Sequence, residues 1–220
     1  ELPPFNTCKS NSDRVDWEKQ FIACIIKYTH HVIAQVRPSV GIYIGIDGVV
    51  PMAKMVQQRR RRFKSAWLRA NRGGEAGFDT NAITPGTKFM QRLRLSLEKM
   101  HLEYPAVQFI VSSADEPGEG EHKIMDMINT ITVDGAPPLI NVIYGLDADL
   151  IVLSLLNQYN HPKSEYWLFR EETDRERKET YFQWFSIRAL YNYILKDLCI
   201  GIQDYCMAMN FMGNDFLPTP

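Results

Sequence analysis

An α/β fold with a mainly parallel sheet flanked by helices is what this sequence predicts, on three observations. Short β-branched and aromatic runs alternate with stretches whose apolar residues recur every three to four positions, the pattern of βαβ units. The run over residues 40–46 is apolar on both faces, as expected of a strand covered from both sides. At 220 residues, 45% of them hydrophobic, the chain can bury a substantial core, so one α/β domain or most of one is expected.

Each element follows in order. Residues 17–36 place Trp17, Phe21, Cys24, Ile25, Tyr28, Val32 and Ile33 at helical spacing, and Arg37-Pro-Ser39 ends that helix. After the strand at 40–46, Pro51 opens a second helix with Met52, Val56, Phe63, Ala66 and Trp67 as its apolar stripe. A glycine-rich surface loop is expected over 71–80. Thr84-Pro-Gly-Thr87 then makes a turn and a helix cap leading into an amphipathic helix over 89–100. Residues 107–112 read as a buried strand, 121–131 as a helix, 141–146 as a third strand, 150–156 as a helix and 165–169 as a fourth strand. The densely charged stretch 171–180 predicts a solvated loop. Residues 182–212 predict a helix burying Trp184, Ile187, Leu190, Ile194 and Leu198.

Composition narrows the classes. The net charge is -1, yet residues 51–72 hold Lys54, Arg59, Arg60, Arg61, Arg62, Lys64, Arg69 and Arg72 and no acid, a local charge of +8. The four cysteines, Cys8, Cys24, Cys199 and Cys206, form no C-x-x-C pair, which argues against a structural zinc site and a disulfide framework. No apolar stretch approaches the roughly 18 residues that span a bilayer, and Glu1-Leu-Pro-Pro-Phe5 lacks the regions of a signal peptide. A reduced intracellular location, cytoplasmic or nuclear, is expected, without secretion.

Carboxylates recur at the ends of apolar runs. Asp47 follows Gly41-Ile-Tyr-Ile-Gly-Ile46, Glu119 and Glu121 lie in Pro117-Gly-Glu-Gly-Glu-His122, Asp147 and Asp149 in Tyr144-Gly-Leu-Asp-Ala-Asp149, and Asp215 in Gly213-Asn-Asp-Phe-Leu-Pro218. Any one of them alone reads best as a helix cap. Together, past the carboxyl ends of strands in a parallel sheet, they read as a site for a hard divalent cation, because clustered carboxylates repel unless a cation neutralises them. Two ions are expected with that many acids, one activating a water and one stabilising a leaving oxygen. The chain lacks G-x-x-x-x-G-K-S/T and G-x-G-x-x-G patterns, which disfavours P-loop NTP hydrolysis and Rossmann redox chemistry. Metal-dependent phosphoryl transfer is the expected class.

On the helix after Pro51, Lys54, Gln58, Arg61 and Arg62 stand at i, i+4, i+7 and i+8 and share one face, away from the apolar stripe. Such a face can grip a terminal phosphate. A solvated charged face and a nuclear localisation tract are the competing readings.

The segments Asp47-Gly-Val-Val-Pro-Met-Ala-Lys-Met-Val-Gln-Gln-Arg-Arg-Arg-Arg-Phe63, Ile83-Thr-Pro-Gly-Thr-Lys-Phe-Met90, Pro117-Gly-Glu-Gly-Glu-His-Lys-Ile-Met125, Tyr144-Gly-Leu-Asp-Ala-Asp-Leu-Ile151 and Gly213-Asn-Asp-Phe-Leu-Pro218 closely resemble, in order, motifs of the XRN-type 5′-to-3′ exoribonucleases. The resemblance implies a PIN-like, flap-endonuclease-related core that binds Mg2+, with Mn2+ as a substitute. It implies degradation of 5′-monophosphorylated RNA to nucleoside monophosphates, a hydrolase activity used in RNA decay and processing. By motif position, Asp47, Glu119, Glu121, Asp147, Asp149 and Asp215 look like the metal-binding, catalytic acids. Lys54, Gln58, Arg61 and Arg62 look like the 5′-phosphate pocket.

Departures from the family pattern shape a second expectation. Nothing before Trp17 resembles the family's first strand with its further metal-binding Asp, Met52 stands where a basic residue is common, and the later helical segment is not found. Residues 1–220 are thus expected to be most of one nuclease domain. The alternative function is a catalytically impaired, nuclease-like RNA-binding protein, and a flap-type DNA endonuclease ranks third.

Overall fold

Ser10 begins the ordered architecture: its side chain accepts from the Asp13 amide at 3.1 Å while Asp13 Oδ2 accepts from the Ser10 amide at 2.9 Å, a reciprocal cap on helix α1 (Asn11–Val36). This computed structural model describes residues 2–8, 10–71, 77–132, 137–145, 147–174 and 179–212. The chain divides into two compact units, Glu1–Lys123 and Ile124–Pro220. No helix among the described residues is long and apolar enough to cross a membrane.

In the first unit, α1 starts six residues before the expected Trp17, because the cap rather than the first large apolar residue sets its beginning. It ends as expected, with Arg37 in the left-handed region at φ 53°. Strand β1 (Gly41–Gly45) pairs in parallel with β2 (Gln108–Ser112), in register from Gly41↔Gln108 to Gly45↔Ser112. Between them lie α2 (Met52–Asn71) and α3 (Lys88–Lys99). Thr87 caps α3 as the sequence predicts, accepting from the Met90 amide at 3.3 Å. The α3 face of Phe89, Met90, Leu93 and Leu97 forms one core with Ile22 and Ile33 of α1, and the inward side chains of β1 and β2 pack against it. An aromatic cluster of Phe5, Trp17, Phe21, Phe78 and Phe89 extends that core, with ring centroids 5.0–5.7 Å apart. Each such pair adds about 0.5–1.5 kcal/mol beyond its buried area.

Helix α2 departs from expectation. Its apolar stripe is exposed among the described residues, with Met52 82%, Phe63 72% and Trp67 55% accessible. Amphipathic spacing encodes a face but not what covers it. Of the glycine-rich loop expected over 71–80, residues 72–76 lie outside the described residues, Asn71 ends α2 and Thr80 begins a 3-10 turn.

In the second unit, β3 (Ile140–Tyr144) pairs in parallel with β4 (Glu165–Asp174), and β4 pairs antiparallel with β5 (Glu179–Ser186). Helix α5 (Asp149–Asn160) packs with α6 (Ile187–Lys196) and α7 (Ile202–Phe211) around Leu155, Ile187, Ile194 and Ile202, joined by Met125 and Ile128 from α4 (Gly120–Ile131). Two expectations are corrected here. The solvated loop over 171–180 is instead the two arms of a hairpin, apart from residues 175–178, which lie outside the described residues. The single helix over 182–212 begins only at Ile187 and breaks between Lys196 and Ile202, where Cys199 takes φ 54°. The cause of the first change is the aromatic run Tyr181-Phe-Gln-Trp-Phe185, which suits a pleated sheet and stacks on fully buried Phe169, whose ring lies 4.6 Å from Phe182 and 4.4 Å from Trp184. Trp184 and Leu198 are consequently half exposed rather than core.

Candidate functional site

The first unit concentrates chemistry where β1 ends and α4 begins. Past β1, the Gly48 amide donates to the Gly118 carbonyl at 2.8 Å and the Gly118 amide returns to the Val49 carbonyl at 2.9 Å. These two bonds lock the loop after β1 against the loop before α4. Only glycine fits at Gly48, because a Cβ there would sit 1.7 Å from the Glu116 carbonyl oxygen. Held in this way, Asp47 accepts through Oδ1 from the Gly120 amide in the first turn of α4, at 2.7 Å.

Gly120 separates the two glutamates of the motif. A Cβ at Gly120 would lie 2.7 Å from the Gly45 carbonyl oxygen and 3.3 Å from Asp47 Oδ1, so its absence lets α4 start directly against the end of β1. Glu119, Glu121 and His122 offer ligand atoms that all fall within 4.8 Å of one another. Glu119 is only 9% exposed, Glu121 is half-buried and His122 is exposed. Two carboxylates and an imidazole at this separation can hold a divalent cation, and Asp47 is tied to the same helix start through the Gly120 amide between the two glutamates.

The expected phosphate face comes together in part. Lys54 Nζ lies 2.5 Å from Glu119 Oε1, with both side chains largely buried, so the first residue of that face contacts an acid of the other group directly. Arg62 donates to Gln58 Oε1 at 3.0 Å, both half-buried, which fixes the guanidinium one turn further along. Arg61 is exposed on the same side of α2.

Two residues that sequence reasoning did not single out belong to this region. His122 Nδ1 stands 3.5 Å from Glu119 Oε2 and 4.0 Å from Glu121 Oε1. Lys123 is buried, 8% exposed, and its ammonium donates to the backbone carbonyls of Ile46, Ser113 and Glu116 at 2.9, 2.8 and 2.8 Å. Burial pulls its pKa below the ordinary lysine value, against the pull of Glu116 and Asp47, which favour the charged form. The only sequence signal was a lysine on the turn of α4 that follows the acidic motif.

In the second unit, Asp147 and Asp149 lie after β3, at and just before the first turn of α5, both exposed, and the Asp149 amide approaches Asp147 Oδ1 at 3.4 Å. Asp215 lies outside the described residues. Cys8, Cys24, Cys199 and Cys206 are free thiols.

Comparison with known proteins identifies the family of the chain. Residues 5–172 match the family described as XRN 5'-3' exonuclease N-terminus. The chain is 32% identical to 5'-3' exoribonuclease 2 of Kluyveromyces lactis over 94% of its own length, and 32% identical to 5'-3' exoribonuclease 2 of Schizosaccharomyces pombe over 96%. It is 34% identical to 5'-3' exoribonuclease 1 of Schizosaccharomyces pombe over 91%. These alignments cover 27%, 28% and 18% of the three relatives, so the chain spans less than a third of their length. With three quarters of its residues inside the match, the chain belongs to the XRN 5'-3' exonuclease N-terminus family.

Proposed function

We propose that this chain carries the catalytic centre of a metal-dependent 5′-to-3′ exoribonuclease that hydrolyses 5′-monophosphorylated RNA to nucleoside monophosphates. The observation that carries the reading is the meeting of Glu119 and Glu121 at the start of α4, with Asp47 bonded to the Gly120 amide between them and Lys54 of the basic face in contact with Glu119. The names of the relatives support a hydrolase over the RNA-binding alternative. The α/β arrangement, with acids past the carboxyl end of β1, supports assignment to the PIN-like, flap-endonuclease-related class.

Asp47, Glu119 and Glu121 would hold the cation, and the motifs of Asp147, Asp149 and Asp215 assign those acids a metal-binding role as well. Bound Mg2+ or Mn2+, two ions in this reading, supplies an activated water and charge stabilisation at the leaving oxygen. The residues of the chain do the rest. Arg62, held by Gln58, and exposed Arg61 offer a planar, charge-assisted grip on a 5′-phosphate, with Lys54 between that grip and the acids. Water adds to phosphorus, the bond to the 3′ oxygen breaks, and the first nucleotide leaves as a monophosphate. The phosphate then belongs to the next nucleotide, so each cycle regenerates the end that the basic face recognises. A triphosphate or a cap would exceed the pocket in charge or bulk. The free cysteines fit an intracellular location, cytoplasmic or nuclear.

The test is hydrolysis of one RNA prepared with a 5′-monophosphate, hydroxyl or triphosphate end, by the full chain with Mg2+ and with EDTA. Nucleoside monophosphates should appear from the monophosphorylated RNA and only with metal. Equal rates on all three ends, or activity in EDTA, would refute the proposal.

A further inference from the structure

We propose that Lys123 is a positioning residue for the metal site, a built-in cation that fixes the backbone from which Asp47, Glu119 and Glu121 project. This inference rests on the metal-site reading above and adds to it a residue that ligates no metal.

An ammonium has three donors, and all three of Lys123 end on carbonyl oxygens at 2.8–2.9 Å. Those carbonyls are not scattered. Ile46 is the residue before Asp47, Ser113 is the residue after β2, and Glu116 stands three residues before Glu119. Lys123 itself lies one turn after Glu119 on α4, and its amide donates to the Glu119 carbonyl at 3.0 Å. One buried ammonium therefore ties the end of β1, the end of β2 and the loop into α4 to a single point. Neighbouring bonds serve the same loops: Ser112 Oγ donates to Glu116 Oε2, and the Glu116 amide donates to the Ser113 carbonyl at 3.2 Å.

Charge makes the proposal testable against a purely electrostatic effect. A positive charge beneath a cation site opposes cation binding, so removing it without moving anything would tighten the metal. If Lys123 instead holds the ligands in place, its removal lets Asp47, Glu119 and Glu121 separate and weakens the metal, despite the lost repulsion. Supporting groups around metal ligands typically change affinity by about 10–100-fold when removed. The two roles predict opposite signs.

The experiment measures Mn2+ binding to the full chain by electron paramagnetic resonance, without RNA, for the parent, Lys123→Met and Lys123→Arg, with thermal unfolding of each followed alongside. Methionine keeps the unbranched stem but donates nothing, and should raise the Mn2+ dissociation constant about tenfold or more in protein that still unfolds cooperatively. Arginine keeps the charge, but its planar fork cannot direct three donors to three carbonyls around one point. It should therefore fall between the two, and it decides the matter if the methionine variant does not fold. Unchanged or tighter Mn2+ binding in the folded variant overturns the positioning role while leaving the metal site standing. A parent that binds no Mn2+ overturns the metal reading itself, and the inference with it.

Discussion

Replacing Gly120 with alanine perturbs the candidate centre by one methyl group. The new Cβ would approach the Gly45 carbonyl oxygen to 2.7 Å and Asp47 Oδ1 to 3.3 Å. Ordinary carbon–oxygen contacts begin near 3.3 Å, so the start of α4 and the end of β1 must part by roughly 0.6 Å. Alanine in a helix is worth about 0.5–1 kcal/mol over glycine, whereas overpacking against backbone costs about 1–3 kcal/mol. The clash wins, and the full chain should lose about 1–2 kcal/mol of stability. The larger effect falls on the site, because the 2.7 Å bond from the Gly120 amide to Asp47 lengthens and the acid loses its register with Glu119 and Glu121. A charge-assisted bond of this kind is worth about 1.5–3 kcal/mol, and losing half of one corresponds to a roughly three- to tenfold weaker metal. The assay is the Mg2+ concentration that gives half-maximal hydrolysis of 5′-phosphorylated RNA, with urea unfolding in parallel. Gly77→Ala, whose new Cβ would meet nothing within 4 Å, is the control and should change neither quantity. A Gly120→Ala variant with the parent's Mg2+ requirement would refute the reasoning that ties Asp47 to α4.

Three further outcomes are expected. Lys54→Ala leaves the largely buried Glu119 without its 2.5 Å cation and should cost about 1.5–3 kcal/mol in urea unfolding; a loss below 0.5 kcal/mol would mean that the pair contributes nothing. Arg61→Ala, at an exposed position, should leave stability unchanged within about 0.5 kcal/mol while reducing the preference for 5′-monophosphate over hydroxyl by roughly ten- to hundredfold. Tyr166, fully buried on β4, has its pKa pushed by burial up to about 12, above the ordinary value of 10.0. Because the folded value is the higher one, its contribution is complete below pH 10 and is lost as pH rises towards 12, a change of about 2–3 kcal/mol. Urea unfolding at pH 9 and pH 11.5 should show this loss in the parent and not in Tyr166→Phe.

What the sequence made legible followed from local rules. Helix α3 was readable because Thr87 caps it and Phe89, Met90, Leu93 and Leu97 keep one period throughout. Asp47 was placed past a strand end because the preceding apolar run is short and bounded by glycines. Strand β5 was misread because Tyr181-Phe-Gln-Trp-Phe185 fits a helix as well as a strand, and its pairing with β4 is settled by contact with Phe169 rather than by spacing. The exposed stripe of α2 escaped for the complementary reason, since Phe63 and Trp67 define a face without naming its cover.

The candidate site divides along the same line. Residue type and motif spacing pointed to Asp47, Glu119 and Glu121; the structure sets Glu119 and Glu121 within 4.8 Å of each other and bonds Asp47 to the Gly120 amide between them. The Lys54–Glu119 pair and the three-carbonyl seat of Lys123 join residues distant in the chain, and no local pattern encodes them. Lysine on a helix next to an acidic motif ordinarily reads as solvated. Only its burial and its three carbonyl partners distinguish Lys123 from that default.

The central claim is that the acids at the junction of β1 and α4 hold the metal that drives hydrolysis, and the most direct test is Asp47→Asn in the full chain. Asparagine keeps the shape of the side chain and an oxygen to accept from the Gly120 amide, so the fold should persist, while one anionic ligand is removed. Release of nucleoside monophosphates from 5′-phosphorylated RNA at saturating Mg2+ should fall by about a hundredfold or more, with unfolding unchanged within about 1 kcal/mol. An Asp47→Asn variant that degrades this RNA at the parent's rate, with the parent's Mg2+ requirement, would contradict the account.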